Sequence, residues 1–248
     1  MKNRWTISLI GCFLILSVAI KSHAGLIINH ALYKELLAKH VKDGRVDYRT
    51  FKNAEKRLDE YLQLLDKTNP DTLSRNEQFA FYINAYNAYT IKLILKHYPG
   101  VKSIKDIGSW LSTPWKIKFC KLGGKTYTLD EIEHTILRPR FKDPRVHFAI
   151  NCASMGCPPL IPEPYRSSIL DQQLDTSTRV FLNDPRWNRL EGNTLYISKI
   201  FKWFKDDFEG DIVDFFSKYA DKKLKKTLSD KKAQINIKYL NYDWSLNE

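Results

Sequence analysis

The sequence predicts an α+β fold: one domain, with a buried central helix packed on a small antiparallel or mixed sheet. Three observations carry this. Helical and short extended patterns are mixed along the chain without a regular strand–helix alternation. One segment, residues 75–98, is apolar or aromatic nearly all round, as in a helix enclosed by its own protein. No repeat, low-complexity tract or long linker divides the chain.

The elements follow in order. Residues 28–41 have the spacing of an amphipathic helix stopped by Gly44, and residues 45–51 read as a short extended piece. Residues 54–66 place Leu58, Tyr61, Leu62 and Leu65 at helical spacing before Asn69-Pro70. Ser74 and Glu77 form an S-x-x-E capping box that opens the central helix, and Pro99-Gly100 stops it. Residues 115–128 alternate around Gly123-Gly124 as a hairpin. Thr128 and Glu131 form a second capping box, opening the helix LDEIEHTILR that Pro139 is expected to close. RVHFAIN, residues 145–151, reads as a strand, followed by a cysteine loop and a helix over 168–182. Residues 194–197 read as a short strand, 200–208 and 211–219 as helices, and 235–240 as a last strand.

The N-terminus predicts the compartment. Lys2 and Arg4 precede an apolar run from Trp5 to Ile20, and Ser22-His23-Ala24 suits a signal peptidase, so residues 1–24 read as a signal peptide. The run is shorter than the ~20 residues a spanning helix needs, so no stable membrane span is expected after cleavage. Residues 25–248 then form a single globular domain in the periplasm or outside the cell. Without Lys2, Arg4 and Lys21 the 40 basic residues become 37, against 28 acidic, a formal charge of +9. Such a protein is drawn to anionic envelope polymers. Export and the lack of any groove-reading motif argue against nucleic acid as a partner. The C-terminal lysine cluster mixes with Asp221 and Asp230 and reads as a solvated face.

The chemistry concentrates in HFAINCASMGCPPL, residues 147–160. Cys12 leaves with the signal, so Cys120, Cys152 and Cys157 remain, an odd count that leaves one thiol free within a monomer. If 145–151 is a strand, His147 and Asn151 share its polar face and Cys152 emerges at its end. A cysteine beside an imidazole with an amide behind it is the arrangement of an activated thiolate. His134, one turn after Asp130 and beside Glu133, is a competing base. Three other readings stay open: a Cys152–Cys157 bridge stapling the loop, a redox pair, and a metal half-site. The C-x-x-x-x-C spacing lacks the dithiol pattern, and no metal-ligand spacing accompanies it. Neither metal nor cofactor is expected: phosphate-binding glycine loops, H-E-x-x-H and G-x-S-x-G are absent. Asn84 and Asn87, three apart on the central helix, share one face; buried there, they either tie loops to the helix or line a site. Trp110, Trp115, Trp203 and Trp244 suit either a core or a stacking surface.

Several segments together resemble one family, domain of unknown function 547: FYINAYNAYT, LDEIEHTILR, DPRVHFAINCASMGCPPL, ISKIFKWFKDDF and YLNYDWSLN, in that order over most of the mature chain. The resemblance implies a signature of Asn84, Asn87, Glu133, His134, Arg138, Arg145, His147, Cys152, Ser154, Cys157 and Pro158. Cys120 stands outside it, which lets the two signature cysteines pair. A distant likeness to papain-like or transglutaminase-like hydrolases is a further expectation, although no cysteine opens the central helix here.

Two functions follow as expectations. One is a cysteine-dependent hydrolase or acyltransferase on envelope amide or peptide bonds. Cys152 is its nucleophile, His147 its base and His134 the rival base. Asn84 or Asn87 orients the imidazole or donates to the oxyanion, Glu133 belongs to the same constellation, and Arg138 or Arg145 holds a substrate carboxylate. The other is a non-catalytic envelope binding or assembly module with a Cys152–Cys157 staple. A thiol redox role is third.

Overall fold

The computed structural model describes residues 28–248 apart from 110, 111 and 209. The expected signal peptide and Trp110 lie outside the described residues. Helix α1 (Ala31–His40) leads into a two-residue hairpin, β1 (Val41–Lys42) and β2 (Arg45–Val46). Asp43 and Gly44, both at positive φ, make its turn, as an Asp-Gly pair favours. The extended piece expected over 45–51 is corrected there. Only Arg45–Val46 is strand, because Asp47 accepts from the Thr50 amide and starts α2 (Tyr48–Asn53). Helix α3 (Glu55–Lys67) buries Leu58, Tyr61, Leu62 and Leu65, as its spacing predicts.

Helix α4 (Arg75–His97) has both arms of the Ser74/Glu77 capping box and buries residues on all sides. It lies against α2, α3 and β3 (Cys120–Leu122), which pairs with β4 (Lys125–Tyr127) around Gly123-Gly124. The second capping box also forms: the Thr128 and Glu131 side chains each accept from the other's amide, at 2.9 and 2.8 Å respectively. The helix it opens has a π-helical turn, Glu131–Leu137, which packs on α4. Pro139 does not close it. The chain continues as α5 (Arg138–Phe141) and ends at Lys142 in the left-handed region, φ 52°. Pro139 falls where the wide turn passes into α5, just after Arg138, whose amide still donates back to the Glu133 carbonyl.

The expected strand RVHFAIN is a 3₁₀ turn, Pro144–Phe148. Asp143 accepts from the Arg145 amide and Pro144 sits at the first position, so an N-cap and proline pair overrides the alternating pattern. Val146, His147 and Phe148 are consecutive and all buried, which removes the two-faced arrangement. Helix α6 (Leu170–Leu182) follows. Strands β5 (Arg189–Glu191), β6 (Thr194–Ile197) and β7 (Asn236–Tyr239) form a mixed sheet, β6 antiparallel to β5 and parallel to β7. Between them lie α7 (Ile200–Trp203), α8 (Ile212–Tyr219) and α9 (Lys222–Lys231). The class is α+β, with the strands divided among three small sheets. Among the described residues no helix is long and apolar enough to cross a membrane.

Buried apolar residues form two clusters. One surrounds α4 and takes in α1 to α3. The other joins Phe148 to α6, α8 and β6. The C-terminal segment runs along the cysteine loop: Met155 and Gly156 amides donate to Ser245 and Asp243 carbonyls at 2.9 and 2.8 Å.

Candidate functional site

A cleft of about 260 Å³ opens where the two clusters meet. Its lining comes from six separated segments, and Glu133, His134, His147, Cys152 and Cys157 all contribute to it. Its wall is aromatic. Tyr242 lies 4.8 Å from Trp203 and 4.5 Å from Trp244, ring centre to ring centre, and Trp115 stands edge-on to Trp244 at 5.8 Å. Trp203 is 46% exposed.

The π-helical turn supplies the acids. Such wide turns recur at functional sites because they re-aim neighbouring side chains; here Asp130, Glu133 and His134 all reach the cleft. Glu133 is 7% exposed. Burial pushes its carboxyl up to about 7, against smaller opposing pulls from the Tyr86 hydroxyl and Arg138. Tyr86 in turn has the Trp115 indole as a hydrogen-bonding neighbour. Glu133 is therefore an acid poised to take or give a proton near neutrality.

The two histidines are held differently. His134 Nδ1 accepts from Arg138 at 2.7 Å, since a guanidinium can only donate; this puts its ring proton on Nε2. Asp130 lies 3.7 Å from that Nε2, so Arg138 sets the tautomer more directly than the carboxylate one turn away. His147 is 3% exposed, stacks on Phe204 at 4.0 Å and donates from Nε2 to Asp207 at 2.6 Å. Burial lowers its pKa, outweighing the Asp207 hydrogen bond that would raise it. Arg138 grips the same Asp207 with two hydrogen bonds, 2.5 and 2.9 Å. Burial would raise the Asp207 carboxyl, but bonds from His147 and Arg138 hold it well below the usual range. Its partner fixed, His147 is an anchored imidazole, and Arg138 is already matched by a carboxylate.

Cys152 and Cys157 are joined as a disulfide, their Cα atoms 6.3 Å apart. The Tyr242 hydroxyl lies 3.2 Å from Cys152 Sγ and donates to Cys157 Sγ at 3.1 Å, while Ser154 donates to Tyr242 at 3.0 Å. Gly156 makes this approach possible. A Cβ there would stand 2.9 Å from the Tyr242 ring and 2.9 Å from the Asp243 carbonyl oxygen. While the bridge is closed Cys152 has no thiolate to offer, and the expected pairing of His147 with its sulfur is replaced by the pairing with Asp207.

Other expected site residues do structural work. Asn84 clamps Tyr165, donating to its carbonyl and accepting from its amide at 2.8 Å each. Asn87 does the same between the Ala149 carbonyl and the Asn151 amide, at 2.9 and 2.8 Å. These are loop ties. They orient no imidazole, because the partners of both amides are backbone groups. Asn151 turns inward to the Pro158 carbonyl and the Ala153 amide, both 2.8 Å away. Arg145 is held by Asp143, Asp171 and Asp175 at 2.7, 2.7 and 2.6 Å and does not line the cleft, so it is not offered to a substrate carboxylate. Cys120 is a buried free thiol. No group of His, Cys, Asp or Glu suited to a metal occurs among the described residues.

Residues 70–182 match the family model described as "Protein of unknown function, DUF547". By that match, residues 70–182 are similar to the DUF547 family. The match spans α4, the π-helical turn, the cysteine loop and α6. Trp203, Tyr242 and Trp244 complete the cleft from beyond the matched residues, and Asp207, also beyond them, holds the cleft's His147. Comparison with curated proteins and with solved structures found no match. The DUF547 match says nothing of a papain-like or transglutaminase-like fold. Asp207 and Tyr242 were within quoted motifs, ISKIFKWFKDDF and YLNYDWSLN, but nothing in their spacing links them to His147 or to the cysteines 60 and 85 positions away.

Proposed function

We propose that this protein is a ligand-binding module of the cell envelope whose aromatic cleft seats an organic ammonium group against Glu133. The observation that carries this reading is a buried carboxyl inside a wall of Trp115, Trp203, Tyr242 and Trp244. Aromatic faces attract cations through the ring quadrupole, most strongly where water is excluded. One instance is internal: the Lys105 ammonium lies 4.2 Å from the Trp244 ring centre. The disulfide serves this reading as a staple that holds the cleft wall. The N-terminal sequence and the disulfide support an exported location. The basic surface supports attraction to an anionic envelope polymer, and an amine-bearing envelope peptide fits the cleft.

Calorimetric titration with choline and with a short lysine-containing peptide tests this. Saturable binding is expected, weakened about fivefold or more by Trp203→Ala and further by Glu133→Gln. Binding that neither substitution alters, or no binding of either probe, would remove the reading.

A second reading is favoured by one observation: Cys152, His134 and His147 line the same cleft. With the bridge reduced, this is the setting of a cysteine-dependent hydrolase or acyltransferase. Hydrolysis of an activated ester by the reduced protein, abolished in Cys152→Ser, would support it; equal turnover by that variant would end it.

A further inference from the structure

We propose that the cleft disulfide undergoes thiol–disulfide exchange with a thiol-bearing ligand, with Cys152 the sulfur attacked and Cys157 the sulfur that leaves. This goes beyond ligand binding and does not depend on the ammonium reading.

The two sulfurs are not equivalent. Cys152 is half-buried, whereas Cys157 is 6% exposed. Both line the cleft, but the environment around Cys157 suits a negative charge. The Cys152 amide donates to Cys157 Sγ at 2.9 Å, and the Tyr242 hydroxyl donates to it at 3.1 Å. Ser154 donates to Tyr242, which leaves the phenolic proton free to point at sulfur. Exchange rates depend on how well the leaving thiolate is stabilised and on which sulfur is reachable. Hydrogen bonds to a charged sulfur strengthen as charge develops on it. Cys152 Sγ also has hydroxyl neighbours, Tyr242 at 3.2 Å and Ser154 at 3.3 Å, but the fixed backbone amide points at Cys157.

The step balances. A ligand thiolate attacks Cys152 Sγ in line with the bridge, and a new S–S bond forms between ligand and Cys152. The Cys152–Cys157 bond breaks and its electron pair goes to Cys157 Sγ as a thiolate, held by the Cys152 amide and Tyr242. A second ligand thiol attacking the mixed disulfide releases the oxidised ligand and a reduced Cys152/Cys157 pair. The reductant is the thiol ligand itself.

Reduced glutathione is the probe. The oxidised full-length mature protein is incubated with it at pH 8, quenched with acid, alkylated, and mapped by peptide mass. The expected product carries glutathione on Cys152 and the alkyl group on Cys157, and forms while the protein is still folded. Tyr242→Phe is expected to slow its formation about tenfold, the loss of one hydrogen bond to a charged acceptor, while still melting as a folded protein. A bridge that stays intact until the protein is unfolded in urea would overturn the proposal, and so would glutathione found on Cys157. The wild-type mapping decides without any variant.

Discussion

Glu133 is the residue on which the cleft's behaviour turns. Its folded-state pKa of about 7 lies above the ordinary carboxyl value of 4.5 because burial disfavours the charge. The unfolded chain therefore gives up this proton first as pH rises. Stability from this group is fully present below about pH 4.5 and is lost between there and pH 7, to the extent of about 3 kcal/mol. Glu133→Gln removes the loss. Urea denaturation is expected to find the variant more stable than wild type at pH 8 and equal to it near pH 4.5; an equal difference at both would show that the fold does not raise the Glu133 pKa. Asn87 tests the opposite kind of polar group. Asn87→Ala leaves the Ala149 carbonyl and Asn151 amide without partners and is expected to cost about 2–5 kcal/mol. A loss under 1 kcal/mol would mean that these backbone groups find other partners. Asn84 and Asn87 were legible only in part: two amides on one face of an all-apolar helix either tie loops or line a site, and the partners are backbone loops, not the imidazole or oxyanion expected of them.

At the scale of elements, local chemistry was readable and competition between local signals was not. Both capping boxes form, because each uses only residues three apart. RVHFAIN misleads because its alternation is outweighed by Asp143-Pro144, a helix-start pair directly before it. The π-helical turn was illegible, since no pattern of residues separates it from an α-helical turn. The cysteine loop is the element whose removal is cheapest to interpret. The bridge closes a loop with a sequence separation of 5, so Cys152→Ala with Cys157→Ala is expected to cost about 2 kcal/mol by the loop-closure estimate. Gly156→Ala should cost more than its size suggests, because its methyl would meet both the Tyr242 ring and the Asp243 backbone. Thermal melts of the two variants check both expectations. A Gly156→Ala protein as stable as wild type would show that the C-terminal segment is free to move off the loop.

The whole molecule is two apolar clusters with a cleft at their junction, and this is what the sequence conceals most. The α+β class and the enclosed central helix follow from composition and period. The cleft depends on Asp207, Trp203, Tyr242 and Trp244 being brought from the last quarter of the chain to the π-helical turn and the cysteine loop, and contacts at that separation leave no local trace. On sequence alone the six tryptophans read as core ahead of stacking surface; the 46% exposure of Trp203 at the cleft departs from that reading. The pH dependence of ligand binding joins the residue to the whole. An ammonium group binds the ionised Glu133 in preference to the protonated one, so affinity should climb as pH passes 7. The measurement that tests this most directly is a tryptophan-fluorescence titration with choline at pH 6 and pH 8. A saturable change several-fold tighter at pH 8, lost in Glu133→Gln, is the expected result. No saturable change at either pH, or an affinity indifferent to both pH and Glu133, would contradict a cation site in this cleft.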